Sequence, residues 1–203
     1  MIRPTALFWD LGGVILTDSW DRAARERAVE RFGLVAEDFA RRHSQSAASF
    51  EKGELNLSQY LSRTVFYRRR SFSRKRFQEF MFSQSRLIPE TLEIVSALAR
   101  SRKYLQAALN NESLELNLYR IRRFHLRQYF SVFISSSFVG IQKPHRGIFE
   151  LALELTARLP AESIFIDDRM SNVKTAKRVG MRAIRYRDPV QLRKALHELG
   201  IRA

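Results

Sequence analysis

Two hydrophobic textures alternate along the chain. Short apolar runs at Leu7-Phe8-Trp9, 105–109 (broken only by Gln106), Val132-Phe133-Ile134 and Ile164-Phe165-Ile166 read as strands covered on both faces, where no polar alternation is needed. Between about Ser19 and Arg86 the pattern is helical throughout. Ala24, Ala28 and Phe32 recur at helical spacing behind Ser19, a candidate N-cap, and Gly33 stops that helix. Further helices fit 37–50, 58–67 and 73–82, with Gly53 and Asn56 punctuating the joins. After Pro89 the texture alternates. Helices are predicted over 90–100, 114–123, 147–158, 170–179 and 190–199, and strands over 104–109, 132–135, 163–166 and 182–185. Gly180 stands where a helix C′ residue belongs, and Asp188-Pro189 reads as an N-cap followed by proline at the first helical position. With a first strand over 5–9, this alternation implies right-handed crossovers and a parallel five-stranded sheet. The predicted class is α/β, a Rossmann-like core interrupted by one four-helix insert.

Polar residues stand at or beyond the ends of the apolar runs. Asp10 with Gly12-Gly13 follows the first, Asn110-Asn111 the second, Lys143-Pro144 lies downstream of the third, and Asp167-Asp168 with Asn172 follows the fourth. The carboxyl ends of parallel strands are where an open α/β sheet keeps its ligand site. Three carboxylates, two amides and a lysine there fit Mg²⁺ and a phosphate, since hard cations take oxygen ligands and a phosphoryl group needs positive charge around it. Singly, each has a duller reading: Asp167-Asp168 as a helix cap, Asn110-Asn111 as turn residues, Lys143 as a loop lysine. Their joint placement outweighs these.

Composition narrows the chemistry. The 203 residues, 45% of them hydrophobic, make one domain with a modest insert. Without cysteine there are no disulfides, thiolate metal sites or thiol nucleophiles, and His43, His125, His145 and His197 fall at no metal-binding spacing. No apolar run approaches the roughly 20 residues of a membrane span, and the start of the chain is too weakly apolar for a signal peptide, so a cytoplasmic protein is expected. The net charge is +15, and 29 of the 36 basic residues are arginine. The densest run, Arg68-Arg69-Arg70 and Arg74-Lys75-Arg76 among Tyr67, Phe72 and Phe77, offers a nucleic-acid contact, but a solvated helix end is the favoured reading. A middle reading is that the field of the whole chain simply draws in anionic substrates.

In this order, with Lys143-Pro144 running into Ile148-Phe149 and Asp167-Asp168 into Asn172, Ala176 and Gly180-Met181, the four segments resemble the haloacid dehalogenase-like (HAD) superfamily. The likeness extends to epoxide-hydrolase phosphatase domains and to bacterial sugar-phosphate phosphatases that open with Asp-Leu-Gly. The resemblance implies a core over 1–17 and 89–203 with strand order 5-4-1-2-3, and a helical C1 cap over 18–88. It implies Asp10 as nucleophile, and Mg²⁺ held by Asp10, the Gly12 carbonyl and Asp168, with Asp167 bound directly or through water. Lys143 would neutralise charge, and Asn110 and Asn111 would join Gly12 and Lys143 around the phosphate. Asn110 stands where the family has serine or threonine. Asn172 would order the metal loop. The family's second aspartate, two residues after the nucleophile, is here Gly12, and Asp18 is a candidate substitute acid. Phe50, Lys52 and Tyr60 are candidates to face the substrate from the cap.

The expected activity is Mg²⁺-dependent hydrolysis of small phosphate monoesters through an aspartyl phosphate, with a small anionic phosphorylated partner and no membrane. One alternative is a catalytically weak or inactive HAD-fold binding or regulatory protein with an anionic or nucleic-acid partner. Another is a 2-haloacid dehalogenase, which needs no metal and has no use for Asp167-Asp168.

Overall fold

The computed structural model describes residues 2–202. Strands β1 (Ala6–Trp9), β2 (Leu105–Asn110), β3 (Val132–Ser135), β4 (Ser163–Asp167) and β5 (Arg182–Arg185) form one wholly parallel sheet in the order β3-β2-β1-β4-β5. This is the expected order. The central strand β1 is covered on both faces, which is why its sequence does not alternate. Its side chains still divide with the period of two. Leu7 and Trp9 join one core cluster with Ile94, Leu98, Leu192 and Leu196, while Ala6 and Phe8 join another with Leu109, Ile148, Phe149 and Ala176.

The helices are α1 (Arg22–Phe32), α2 (Ala36–Glu51), α3 (Leu57–Thr64), α4 (Arg74–Ser83), α5 (Pro89–Ser101), α6 (Leu114–Arg123), α7 (Ser136–Val139), α8 (Arg146–Thr156), α9 (Met170–Arg178) and α10 (Pro189–Glu198). The first core cluster thus carries α5 and α10 on one face of the sheet, and the second carries α8 and α9 on the other. Helices α1 to α4 enclose a third cluster of their own, rich in aromatics: Phe32, Phe39, Phe50, Tyr60, Phe77 and Phe80, with Leu116 of α6 completing it. The single turn α7, ended by Gly140 at φ 72°, was not foreseen.

Most boundaries fall within a residue or two of expectation, and one cap moves. Asp21, not Ser19, caps α1, accepting from the Ala24 amide at 2.7 Å. Ser19 is buried instead, its hydroxyl 3.4 Å from Glu112 Oε2, so a contact with the core overrides its local capping preference. Helix α3 ends at Thr64 rather than 67, and Tyr67 reaches back to bond Asp38 on α2.

The chain leaves the core at 15–17 and returns at 84–88, and the two crossings are stitched together. The Thr17 amide donates to the Arg86 carbonyl and the Ile88 amide to the Ile15 carbonyl, both at 2.9 Å, around an antiparallel bridge between Leu16 and Leu87.

Candidate active site

The sheet register gathers the polar strand ends. Trp9 pairs with Ile166, so Asp10 emerges level with Asp167, and the Asp10 amide still donates to the Ile166 carbonyl at 2.9 Å. Between the two carboxylates lies the buried ammonium of Lys143, 3.1 Å from Asp10 Oδ1 and 2.6 Å from Asp167 Oδ2. Asp168 completes a group in which one oxygen from each of Asp10, Asp167 and Asp168 lies within 4.8 Å of the others.

Three negative charges against one positive leave the cluster electrostatically unbalanced. Burial pushes the Asp10 carboxyl up to about 8; Lys143 opposes this, while Asp167 and Asp168 push the same way. Asp168 is also raised, first by burial and then by Asp167 and Asp18. For Lys143 burial works downward, yet Asp10 and Asp167 outweigh it and hold the ammonium charged. A divalent cation relieves such an excess, and the donor set fits one: all oxygen, with Asp168 Oδ1 buried and without a hydrogen-bond partner. Asp167 differs. It accepts from both Lys143 and Asn172, whose Nδ2 lies 3.0 and 2.9 Å from its two oxygens, and from the Arg169 amide at 2.8 Å.

The two asparagines separate. Asn111 lines the cavity and grips the backbone of Lys143 from both sides, donating to its carbonyl at 2.9 Å and accepting from its amide at 2.8 Å. Asn110, buried at the end of β2, donates instead to Asn117 Oδ1 at 3.1 Å, and its own Oδ1 has no partner. Successive side chains at a strand end diverge, which explains the split.

The adjacent glycines differ as well. Gly13 sits at φ 71°, and a Cβ there would meet Asp168 Oδ2 at 2.9 Å. Both the backbone and the carboxylate require glycine. Gly12 lies outside the left-handed region, and what a Cβ would meet there is Asp18 Oδ1, at 2.6 Å. The Asp18 carboxylate therefore occupies the space that a longer residue 12 would fill, on the wall of the same cavity as Asp10 and Lys143.

The cavity, of about 320 Å³, is closed from above by the first two helices of the insert and their lead-in: Trp20, Arg22, Arg25, His43 and Glu51. None of Phe50, Lys52 and Tyr60 lines it. Phe50 and Tyr60 stack on each other inside the insert, and Lys52 pairs with Glu54 at 2.6 Å. A helix turns about 100° per residue, so packing Phe50 inward leaves its neighbour Glu51 facing the cavity. Arg169 and Arg120 complete the wall and were also missed.

Arg120, 2% exposed, clasps both crossings. It donates to the Thr17 carbonyl at 2.9 Å and to Ser85 Oγ at 3.1 Å, and pairs with Glu112 at 3.0 Å. Its signal was available, because an arginine lying in line with Leu116, Asn117 and Ile121 on one face of α6 has to be satisfied in the interior.

The basic run is only partly tied into the insert, and Arg68, Arg69, Lys75 and Arg76 remain exposed. Arg70 donates to the Val65 carbonyl, Arg74 to Ser58 and Ser62, and Phe72 and Phe77 pack on Phe32. Aromatics committed to a core offer no stacking platform to bases. Among the described residues no helix is long and apolar enough to cross a membrane.

Comparison with known proteins gives a consistent picture. A family model described as haloacid dehalogenase-like hydrolase matches residues 4–180. The chain is 28% identical to bifunctional epoxide hydrolase 2 of Sus scrofa, over 90% of this chain but 36% of that protein, so it spans about a third of that relative's length. It is 30% identical to a chloroplast flavin mononucleotide hydrolase of Arabidopsis thaliana, covering 93% of this chain and 78% of the plant protein. A HAD family enzyme of Bacteroides thetaiotaomicron, solved with magnesium and inorganic phosphate, superposes with a TM-score of 0.77 at 21% identity, over 91% of this chain and 94% of that one.

Proposed function

The chain belongs to the haloacid dehalogenase-like hydrolase family, and from that premise we propose that it hydrolyses small phosphate monoesters with Mg²⁺ through an aspartyl phosphate on Asp10. The observation that carries the reading is the cluster of Asp10, Asp167 and Asp168 within 4.8 Å, with the Lys143 ammonium between Asp10 and Asp167. Residues 1–17 and 89–203 are the core in this reading, and 18–88 form a cap over the site. The names of relatives that hydrolyse flavin mononucleotide or, in Thermotoga maritima, phosphorylated carbohydrates support a phosphate ester as substrate.

Asp10 attacks phosphorus, the ester oxygen leaves with a proton, and water then cleaves the aspartyl phosphate. Lys143 holds positive charge against the phosphoryl oxygens and the attacking carboxylate. Asp10, Asp168 and the Gly12 carbonyl would hold Mg²⁺, with Asp167 beside them. The bound ion would supply further positive charge to the phosphoryl group. Asn172 keeps Asp167 oriented. Asn111 fixes Lys143, and Asn110 serves the phosphate only by turning its amide away from Asn117. Asp18 delivers the proton to the leaving group. Its carboxylate at the Gly12 position supports that role.

Release of inorganic phosphate from p-nitrophenyl phosphate, dependent on Mg²⁺, tests the proposal, with chloride release from 2-chloropropionate as the control. Chloride release without phosphate release would replace the phosphatase by a dehalogenase.

Two further outcomes follow from the site. Asp168→Ala is expected to weaken Mg²⁺ binding by about 100-fold or more, since even outer groups of metal sites are worth about 10–100-fold. Calorimetric titration reads this directly, and the rise in melting temperature that Mg²⁺ gives the wild type should vanish. Asp18→Asn is expected to slow hydrolysis of alkyl phosphates by roughly 10²–10⁴ while affecting aryl phosphates with good leaving groups far less. Gly12→Asp alone should gain little on the wild type, because the new side chain has to displace the Asp18 carboxylate that already stands there. Combined with Asp18→Gly, it should recover much of the alkyl-ester rate. Equal losses on both ester classes in Asp18→Asn would exclude Asp18 as the acid.

A further inference from the structure

Asp18 is the proton donor of the proposed reaction, but little holds its carboxylate directly. Among the described residues it accepts no hydrogen bond, and its one paired cation is Arg169, at 4.0 Å and with a side chain 59% exposed. Its place over Gly12 is therefore set by the backbone that carries it.

That backbone is gripped on both sides of Asp18. The chain doubles back after Leu11, with the Leu16 amide on the Leu11 carbonyl at 2.8 Å and the Gly13 amide on the Leu16 carbonyl at 2.7 Å. This turn returns residues 17–19 past Gly12. There Arg120 Nη2 donates to the Thr17 carbonyl at 2.9 Å, and that carbonyl belongs to the same planar peptide as the Asp18 amide. On the other side Ser19, buried, lies with its Oγ 3.4 Å from Glu112 Oε2. Arg120 Nη1 meets the same Glu112 oxygen at 3.0 Å, so the two grips are one buried ion pair. Arg120 Nε reaches Ser85 Oγ, on the returning crossing, at 3.1 Å.

Each nitrogen of Arg120 thus has a protein partner, and the guanidinium is not free for the phosphate although it lines the cavity. It stands close to the acid all the same: Nη1 is 3.8 Å from where a Cβ on Gly12 would sit, and Asp18 Oδ1 is 2.6 Å from that point. A buried ion pair is a weak source of net stability, whereas a guanidinium fork fixes the direction of what it binds.

We propose that Arg120 and Glu112 are positioning residues that aim the Asp18 carboxylate at the leaving-group oxygen, by holding the peptide before Asp18 and the side chain after it. The proposal rests on the reading of Asp18 as the acid.

The test compares kcat on propyl phosphate, whose leaving group needs a proton, with kcat on p-nitrophenyl phosphate, whose leaving group needs it far less. Arg120→Lys keeps a positive charge opposite Glu112 but cannot hold three acceptors at once. It is expected to lose about 10–100-fold on propyl phosphate, the scale of a small misplacement of a reacting group, and much less on the aryl ester. In the Asp18→Asn background the same substitution should cost little more on propyl phosphate, because the group it aims is already gone. Equal losses on both esters, no loss on either, or losses that simply multiply in the double variant would overturn the proposal. Should Arg120→Lys fail to fold, by near-UV circular dichroism, Glu112→Gln carries the same expectation of a selective loss, and equal losses there overturn it as well. Failure of the underlying reading looks different: Asp18→Asn itself would then slow both esters alike. A selective Asp18→Asn with an unselective Arg120→Lys would sink the positioning role alone.

Discussion

Asp10→Asn is expected to abolish phosphate release, with a loss on the order of 10⁴–10⁶, the scale seen when a nucleophile is removed from a working site. The substitution keeps the shape of the side chain and the Oδ1 atom that accepts from the Leu11 amide at 2.8 Å. It removes only the charge. Lys143 then faces a neutral Oδ1 at position 10 but keeps the Asp167 carboxylate at 2.6 Å. The fold should gain from the change when metal is stripped by a chelator. Burial, aided by Asp167 and Asp168 against Lys143, raises Asp10 from an ordinary value near 3.8 to about 8. A carboxyl raised in the folded state contributes stability that is full below its unfolded value and lost as pH climbs through the folded one. Chelator-treated wild type should therefore lose stability between about pH 4 and pH 8. Asp10→Asn should flatten that slope, as urea unfolding at several pH values would reveal. Retained turnover in Asp10→Asn would remove the aspartyl phosphate from the mechanism.

Lys143→Met should damage both activity and fold. The ammonium is nearly inaccessible and faces two carboxylates, so the variant leaves Asp10, Asp167 and Asp168 without their compensating charge. Breaking a buried pair by removing one partner costs about 3–5 kcal/mol. Losing a donor aimed at developing charge costs roughly 10²–10³ in rate. Urea unfolding and phosphate release measure the two separately. Mg²⁺ should restore part of the stability, because it supplies positive charge to the same carboxylates, but much less of the rate. Lys143→Arg would not be conservative, since a planar guanidinium does not fit where a compact ammonium bridges two carboxylates.

The strand ends were legible because β1, β2 and β4 are buried on both faces: a polar residue ending such a run must be satisfied there or serve a ligand. The four-helix insert was legible for the complementary reason, as its apolar residues recur at helical spacing with no strand between. The cavity wall was not. Arg25, His43 and Glu51 sit on helix faces that look solvated in sequence, and only the packing of α1 against α2 decides which polar face looks onto the cavity. Phe50 and Tyr60 were candidates to face the substrate, yet their large aromatic side chains are drawn into the insert's interior. Asp18 could be noticed from its place near the exit from the core, but its proximity to Gly12 belongs to the loop's three-dimensional course.

That proximity has a historical side. Positions 12 and 18 draw on one space, so the chain houses a carboxylate at one address or at the other. The contact is with the far end of the Asp18 side chain, so a side chain at position 12 is accommodated only when that carboxylate turns away. Position 13 has no such freedom, being held by its own backbone as well as by Asp168. Neighbouring glycines that look alike on the page are thus a contingent residue and a fixed one, and exchanging residue 12 between relatives will succeed or fail according to what each carries at the position equivalent to 18.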